Sequence, residues 1–202
     1  NMITLRNFDA LEILSTTAER LSQGEILQIE KALKKEMTEE IYYRMVSDKT
    51  ASLFSASCEI GAITANATTE YQNSMKIFGE KLGIAFQIRD DLFDIMGTVD
   101  AIGKPVGFDV KKNMLTLPLI HMFEMVGNDK KKSLQRKLKQ HASRKDIRSI
   151  RILIELHGGI KYATEQMERI SQEALDELSI FPDSEYKDAL MAAVKFNLRR
   201  ES

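Results

Sequence analysis

Phe86-Gln87-Ile88-Arg89-Asp90-Asp91-Leu92-Phe93-Asp94 is the stretch on which the reading of this chain turns. Wound as a helix, it puts Gln87, Asp90, Asp91 and Asp94 at relative positions 0, 3, 4 and 7, on one face of an otherwise apolar segment. Carboxylates at that spacing repel by roughly 0.2–0.5 kcal/mol per pair, so a positive partner is expected, most simply a divalent cation. Oxygen donors with no interleaved Cys or His suit Mg2+ better than zinc, and Mg2+ held by a few carboxylates commonly serves a substrate phosphate. The plainer reading is a helix end whose acids face water. The apolar residues flanking the acids on both sides count against it.

Working outward, the composition narrows the class. Lys plus Arg number 29 against 30 for Asp plus Glu, so no overall field points to nucleic acid or a membrane surface. Ten Gly and three Pro in 202 residues leave long uninterrupted periodic segments, which predicts an all-α fold in a single domain over residues 1–202. The single Cys58 excludes an internal disulfide and fits a reducing cytoplasm. No apolar run is long enough for a transmembrane segment.

Upstream, Phe8, Leu11, Leu14, Ala18 and Leu21 recur at helical spacing behind a capping Asn7. Ser22-Gln23-Gly24 is expected to break or bend that helix before a second one from Glu25 to Lys35. Thr38 with Glu39 and Glu40 reads as a further helix start. Ser52, Ser55, Ala56, Cys58, Gly61, Ala62 and Ala65 form a stripe of small residues that predicts close helix packing, and Lys49-Thr50 stand at its head. A helix capped by Thr68 or Thr69 leads into the aspartate segment and ends near Gly97. Asp100, Gly103-Lys104-Pro105, Gly107 and Asp109 form a loop, able to fold Lys104 back over the carboxylates as a diphosphate site requires. Beyond it, Thr116 opens a helix with Pro118 in its first turn. Leu134, Leu138, Ile147 and Ile150 give the basic stretch from Asn128 to Arg151 the pattern of a solvent-facing helical hairpin. Helices on either side of His157-Gly158-Gly159 and after Ser184 complete the chain.

The aspartate segment, with Gly103-Lys104-Pro105-Val106-Gly107-Phe108-Asp109 and Thr116-Leu117-Pro118-Leu119 behind it, resembles the second aspartate-rich region of the trans-isoprenyl diphosphate synthases, or polyprenyl synthetases. Gly24-Glu25-Ile26-Leu27-Gln28 and Asp48-Lys49-Thr50-Ala51-Ser52-Leu53-Phe54 upstream, and Gly158-Gly159-Ile160-Lys161-Tyr162-Ala163 downstream, resemble the family in order and spacing. The resemblance implies an isoprenoid synthase-type helical bundle, usually a homodimer. It implies Mg2+-assisted ionisation of an allylic prenyl diphosphate, attack by isopentenyl diphosphate and loss of a proton. By motif match, Asp90, Asp91, Asp94 and Asp109 are metal residues, Lys49 and Lys104 contact the allylic diphosphate, Thr50 and Gln87 line the carbocation end, and Glu25 and Gln28 face the cavity.

The sequence departs from the family pattern at Asn113-Met114, where a Gly-Lys pair is common; Lys111 or Lys112 is a candidate substitute for the lysine. The family's first aspartate-rich motif and the basic segment gripping isopentenyl diphosphate are not among these residues. The chain is therefore expected to be the C-terminal portion of a longer enzyme, its N-terminal helices missing and its activity negligible alone. A noncatalytic helical subunit and a terpene cyclase are the competing readings, the second disfavoured by Lys49-Thr50 and Gly103-Lys104. In the full-length protein, Asp90→Ala is expected to lower turnover by roughly two orders of magnitude or more while helix content measured by circular dichroism is unchanged.

Overall fold

Asn7 accepts the Ala10 amide on its side-chain oxygen at 3.0 Å and so caps α1 (Phe8–Lys34), as its place before an amphipathic run predicts. The computed structural model describes residues 7–34, 37–96, 116–139 and 144–200. Lys104, Asp109, Lys111, Lys112, Asn113 and Met114 lie outside these. Among the described residues every regular element is helical, in agreement with the all-α expectation.

α1 passes through Ser22-Gln23-Gly24 without the expected break. Gly24 is buried, and a Cβ placed on it would lie 2.5 Å from the Lys49 amide nitrogen. The glycine serves a close backbone approach, and the helix tolerates its low propensity because that contact is gained. Thr38 caps α2 (Glu39–Val46) by accepting the Ile41 amide at 3.2 Å. A π-helical turn, Ser47–Ala51, then joins α2 to α3 (Ser52–Thr64), with the Ser52 amide bonding back to the Ser47 carbonyl. Such turns, in which the bond spans five residues, occur often at functional sites.

The small-residue stripe is only partly an inward face: Ser52, Ser55, Ala56 and Ala62 are buried, whereas Gly61 and Ala65 are exposed. Its partner is the central helix α4 (Thr69–Met96). There Gly79 and Gly83 lie against the backbone of Phe54, Ser55 and Ala51.

Beyond the segment that is not described come α5 (Leu117–Met125), α6 (Asn128–Lys139), α7 (Arg144–Leu156), α8 (Gly159–Glu177) and α9 (Glu185–Arg199). Gly158 takes the left-handed conformation, φ 75°, between α7 and α8. Ser184 caps α9 at the Lys187 amide. The main core gathers Tyr42, Val46, Ile88, Leu92, Leu117, Met122, Ile150, Ile154 and Met167 from α2, α4, α5, α7 and α8. A second cluster of Phe78, Ala174, Leu178 and Val194 joins α4 to α8 and α9. Lys130, Lys132, Arg136 and Arg148 are exposed on α6 and α7, which turn Leu134, Ile150 and Ile154 inward.

Two glycines of opposite consequence test this packing. A Cβ at Gly79 would meet the Phe54 carbonyl oxygen at 2.5 Å and the Ser55 Cα at 2.7 Å, whereas one at Gly61 meets nothing within 4 Å. Gly79→Ala is expected to cost about 1–3 kcal/mol in denaturant unfolding of the full-length protein. Gly61→Ala is expected to add about 0.4–1 kcal/mol by restricting the unfolded chain.

Candidate functional site

The π turn, α1 and α4 meet around a cavity of about 230 Å³ lined by Gln28, Met37, Tyr42, Met45, Lys49, Thr50, Gln87, Asp91 and Thr116. Lys49 Nζ lies 2.7 Å from the Glu25 carboxylate and donates to the Gln28 side-chain oxygen, both on α1. Gly24 makes this possible, because with any side chain there the Lys49 backbone could not rest on α1. The Glu25 side chain is 54% exposed, so this ion pair is held weakly and a more highly charged anion can compete for the lysine.

Across the cavity, Thr50 Oγ1 donates to Gln87 Oε1 at 2.9 Å, and Gln87 Nε2 donates to Asp91 Oδ1 at 3.0 Å. The other oxygen of Asp91 accepts the Tyr42 hydroxyl at 2.6 Å in the buried interior. A carboxylate offers only acceptors, so it takes the amino side of the Gln87 amide and leaves the carbonyl oxygen toward Thr50. The tyrosine, carboxylate and amide thus fix one another, and the site presents oxygen lone pairs at this end.

The acids sharing a face in the sequence do not share an environment. Asp91 is 4% exposed and turned into the protein, whereas Asp90 is at the surface, paired with Arg200 just after α9. The Arg200 guanidinium also lies 4.2 Å from the Phe86 ring centre and 5.2 Å from that of Phe93. Arg89 Nε donates to the Arg200 carbonyl at 3.2 Å, which ties the end of α9 to the aspartate segment. Asp94 is half-buried one turn beyond Asp90. Among the described residues, no three His, Cys, Asp or Glu side chains gather in an arrangement able to hold a metal ion.

The structure therefore brings Glu25, Gln28 and Lys49 together on one side of the cavity and Thr50, Gln87 and Asp91 together on the other. Asp90 and Asp94 stand at the rim, and Lys104 and Asp109 lie outside the described residues. Sequence reasoning missed Tyr42, Thr116, Arg20 and Arg200. Tyr42 reads as an ordinary core position, and nothing local marks its hydroxyl. Thr116 Oγ1 is buried without a hydrogen-bond partner at the cavity wall. Arg20 sits behind the π turn, where burial works against its charge. Hydrogen bonds and charges from Glu80 and Asp48 outweigh that and hold its pKa above the ordinary guanidinium value.

The described residues thus form a helical bundle with a lysine on one side of a cavity and a buried carboxylate of the central helix on the other. The polyprenyl synthetase family model matches residues 1–154. The octaprenyl diphosphate synthase of Haemophilus influenzae is 32% identical over 197 residues, which are 97% of this chain and 60% of that protein. The polyprenyl synthase of Caulobacter crescentus, solved in complex with calcium and isoprenyl diphosphate, superposes with a TM-score of 0.92 at 27% identity, covering 100% of this chain and 62% of its own. Geranylgeranyl pyrophosphate synthetase of Pyrococcus horikoshii gives 0.87 at 33% identity, over 96% of this chain and 59% of its own. The chain belongs to the polyprenyl synthetase family, and its helical architecture is the isoprenoid synthase fold that the resemblance implied. It spans about 60% of the length of the curated relatives it matches.

Tyr42→Phe removes a hydrogen bond from a buried carboxylate without changing side-chain shape. In the full-length protein it is expected to lower unfolding free energy by about 1–3 kcal/mol, read from the denaturant midpoint at unchanged slope.

Proposed function

We propose that the full-length protein is a prenyltransferase that joins an allylic prenyl diphosphate to isopentenyl diphosphate and so lengthens a trans-polyprenyl diphosphate. The observation that carries this reading is the disposition of Lys49 opposite the Thr50–Gln87–Asp91 chain across one cavity, in a member of the polyprenyl synthetase family.

Breaking the allylic carbon–oxygen bond places negative charge on the departing diphosphate and positive charge on the allyl fragment. Lys49 serves the first charge, exchanging Glu25 for the diphosphate. Thr50 and the carbonyl oxygen of Gln87 face the second, and Asp91 with Tyr42 behind it keeps that oxygen from turning away. The isopentenyl double bond then forms the new carbon–carbon bond, and a proton leaves the condensed product. Lys104 is assigned to the same diphosphate by its place in the motif.

The donor chemistry fits Mg2+. The acids at the site supply only oxygen, which suits an ion that takes one or two carboxylates plus substrate phosphates. Asp90 and Asp94 at the rim, with Asp109, would hold it, and Asp90 would give up Arg200; Asp91, expected from the motif as a further metal residue, has its oxygens on Tyr42 and Gln87 and would act through the amide it orients. When bound, Mg2+ neutralises charge gathering on the diphosphate. Cys58 as the lone thiol supports a reducing compartment such as the cytoplasm. A homodimer is carried over from the family resemblance alone.

The test incubates full-length protein with isotopically labelled isopentenyl diphosphate and allylic diphosphates of several lengths, and reads products by chromatography. Linear diphosphates lengthened in five-carbon steps are expected, lost on chelation and restored by Mg2+. Failure to lengthen any of the allylic substrates with Mg2+ present would overturn the reading.

A further inference from the structure

Arg20 occupies the junction of the three elements that carry the site. It lies on α1, one turn before Gly24 and Glu25. From there it reaches both the π turn that bears Lys49 and Thr50, and α4, which bears Gln87 and Asp91. Its Nε donates to Asp48 Oδ1 at 2.9 Å. Its Nη2 donates to the Ser47 hydroxyl at 2.7 Å, to the Ser47 carbonyl at 3.2 Å and to Glu80 Oε1 at 2.9 Å, while Nη1 reaches Glu80 Oε2 at 3.3 Å. Ser47 Oγ in turn donates to Glu80. The side chains are largely withdrawn from water, at 29% exposure for Arg20, 17% for Asp48 and 23% for Glu80.

These bonds concentrate on the start of the π turn. The Ser47 carbonyl accepts the Ser52 amide, the five-residue bond that defines the turn, and Arg20 donates to the same oxygen. A π turn is rare because an α-helical bond usually competes successfully for the same groups. An external cation on the defining carbonyl and on the two side chains beside it favours the wider form. The wider turn separates consecutive residues by less than the ~100° of an α-helix, so Lys49 and Thr50 both open onto one cavity.

We infer that Arg20 is a positioning residue: through Ser47, Asp48 and Glu80 it holds the π turn that presents Lys49 and Thr50 to the allylic diphosphate. The inference rests on the reading of Lys49 as a diphosphate contact given above. Arg20 touches no reacting atom, and its effect passes through Lys49 and Thr50.

The experiment compares full-length wild type, Arg20→Gln, Arg20→Lys, Lys49→Ala and the Arg20→Gln/Lys49→Ala double variant. Calorimetry measures binding of a non-ionisable allylic thiodiphosphate in the presence of Mg2+, and hydrogen exchange follows the peptide covering residues 47–55. Arg20→Gln is expected to weaken analogue binding about tenfold and to speed exchange at the Ala51 and Ser52 amides, with Arg20→Lys intermediate in both. In the Lys49→Ala background the same change is expected to weaken binding less than about twofold, since the two residues act as one unit. Independent losses that multiply in the double variant, or unchanged exchange in residues 47–55, would overturn the inference. Should Arg20→Gln fail to fold, Glu80→Gln removes the same clamp from α4, and the same outcomes decide. Wild type that neither binds the analogue nor makes a prenyl product would defeat the functional reading instead, and the exchange measurement would still decide whether Arg20 holds the turn.

Discussion

α3 and α4 touch backbone to backbone, and the site depends on that approach. Gly79 and Gly83 on α4 have no side chain to hold off Ala51, Phe54 and Ser55. The separation of the two helices is therefore set by main-chain atoms, which cannot rearrange as side chains can. Thr50 on one helix segment and Gln87 on the other can then meet at 2.9 Å across the gap. Gly24 does the same for α1, bringing Glu25 and Gln28 within reach of Lys49.

Within this frame, polarity is graded along the cavity. The lysine stands at the α1 side, and a fixed set of oxygens stands at the α4 side. Asp91 is a carboxylate in a buried position, tolerable because Tyr42 and Gln87 occupy its lone pairs. The cost of burying that charge is offset by a well-defined orientation for the amide beside it. Asp90, one residue earlier and about 100° further round the helix, belongs to the surface and to Arg200.

Much of this was legible in the sequence. Helix starts at Asn7, Thr38, Thr68 and Ser184 follow from capping chemistry, which is local. The residues on the cavity were reachable through motif spacing, because Lys49-Thr50 and Gln87 to Asp94 occur in a recognisable order. What escaped was set by tertiary contact. A glycine that breaks a helix and one that admits a neighbouring backbone look alike in sequence, so Gly24 reads as a break until its contact with Lys49 is known. The π turn has no composition of its own, since Ser-Asp-Lys-Thr-Ala suits an α-helix equally well. Arg20, Tyr42 and Arg200 act on partners far along the chain, and periodicity carries no information about such pairings.

The π turn has one further consequence, for inheritance. It places an extra residue in what would otherwise be a regular helix from Glu39 to Thr64. Loss of a single codon there would leave a chain able to satisfy its backbone as plain α-helix. The wide turn absorbs its extra residue, so α2 and α3 would keep the faces they have now and Tyr42 would stay on Asp91. Lys49 and Thr50, inside the turn, would lose the wide spacing that opens both onto the cavity. Residues 47–51 are therefore a place where a change of length can spare the packing of the bundle and still undo the cavity.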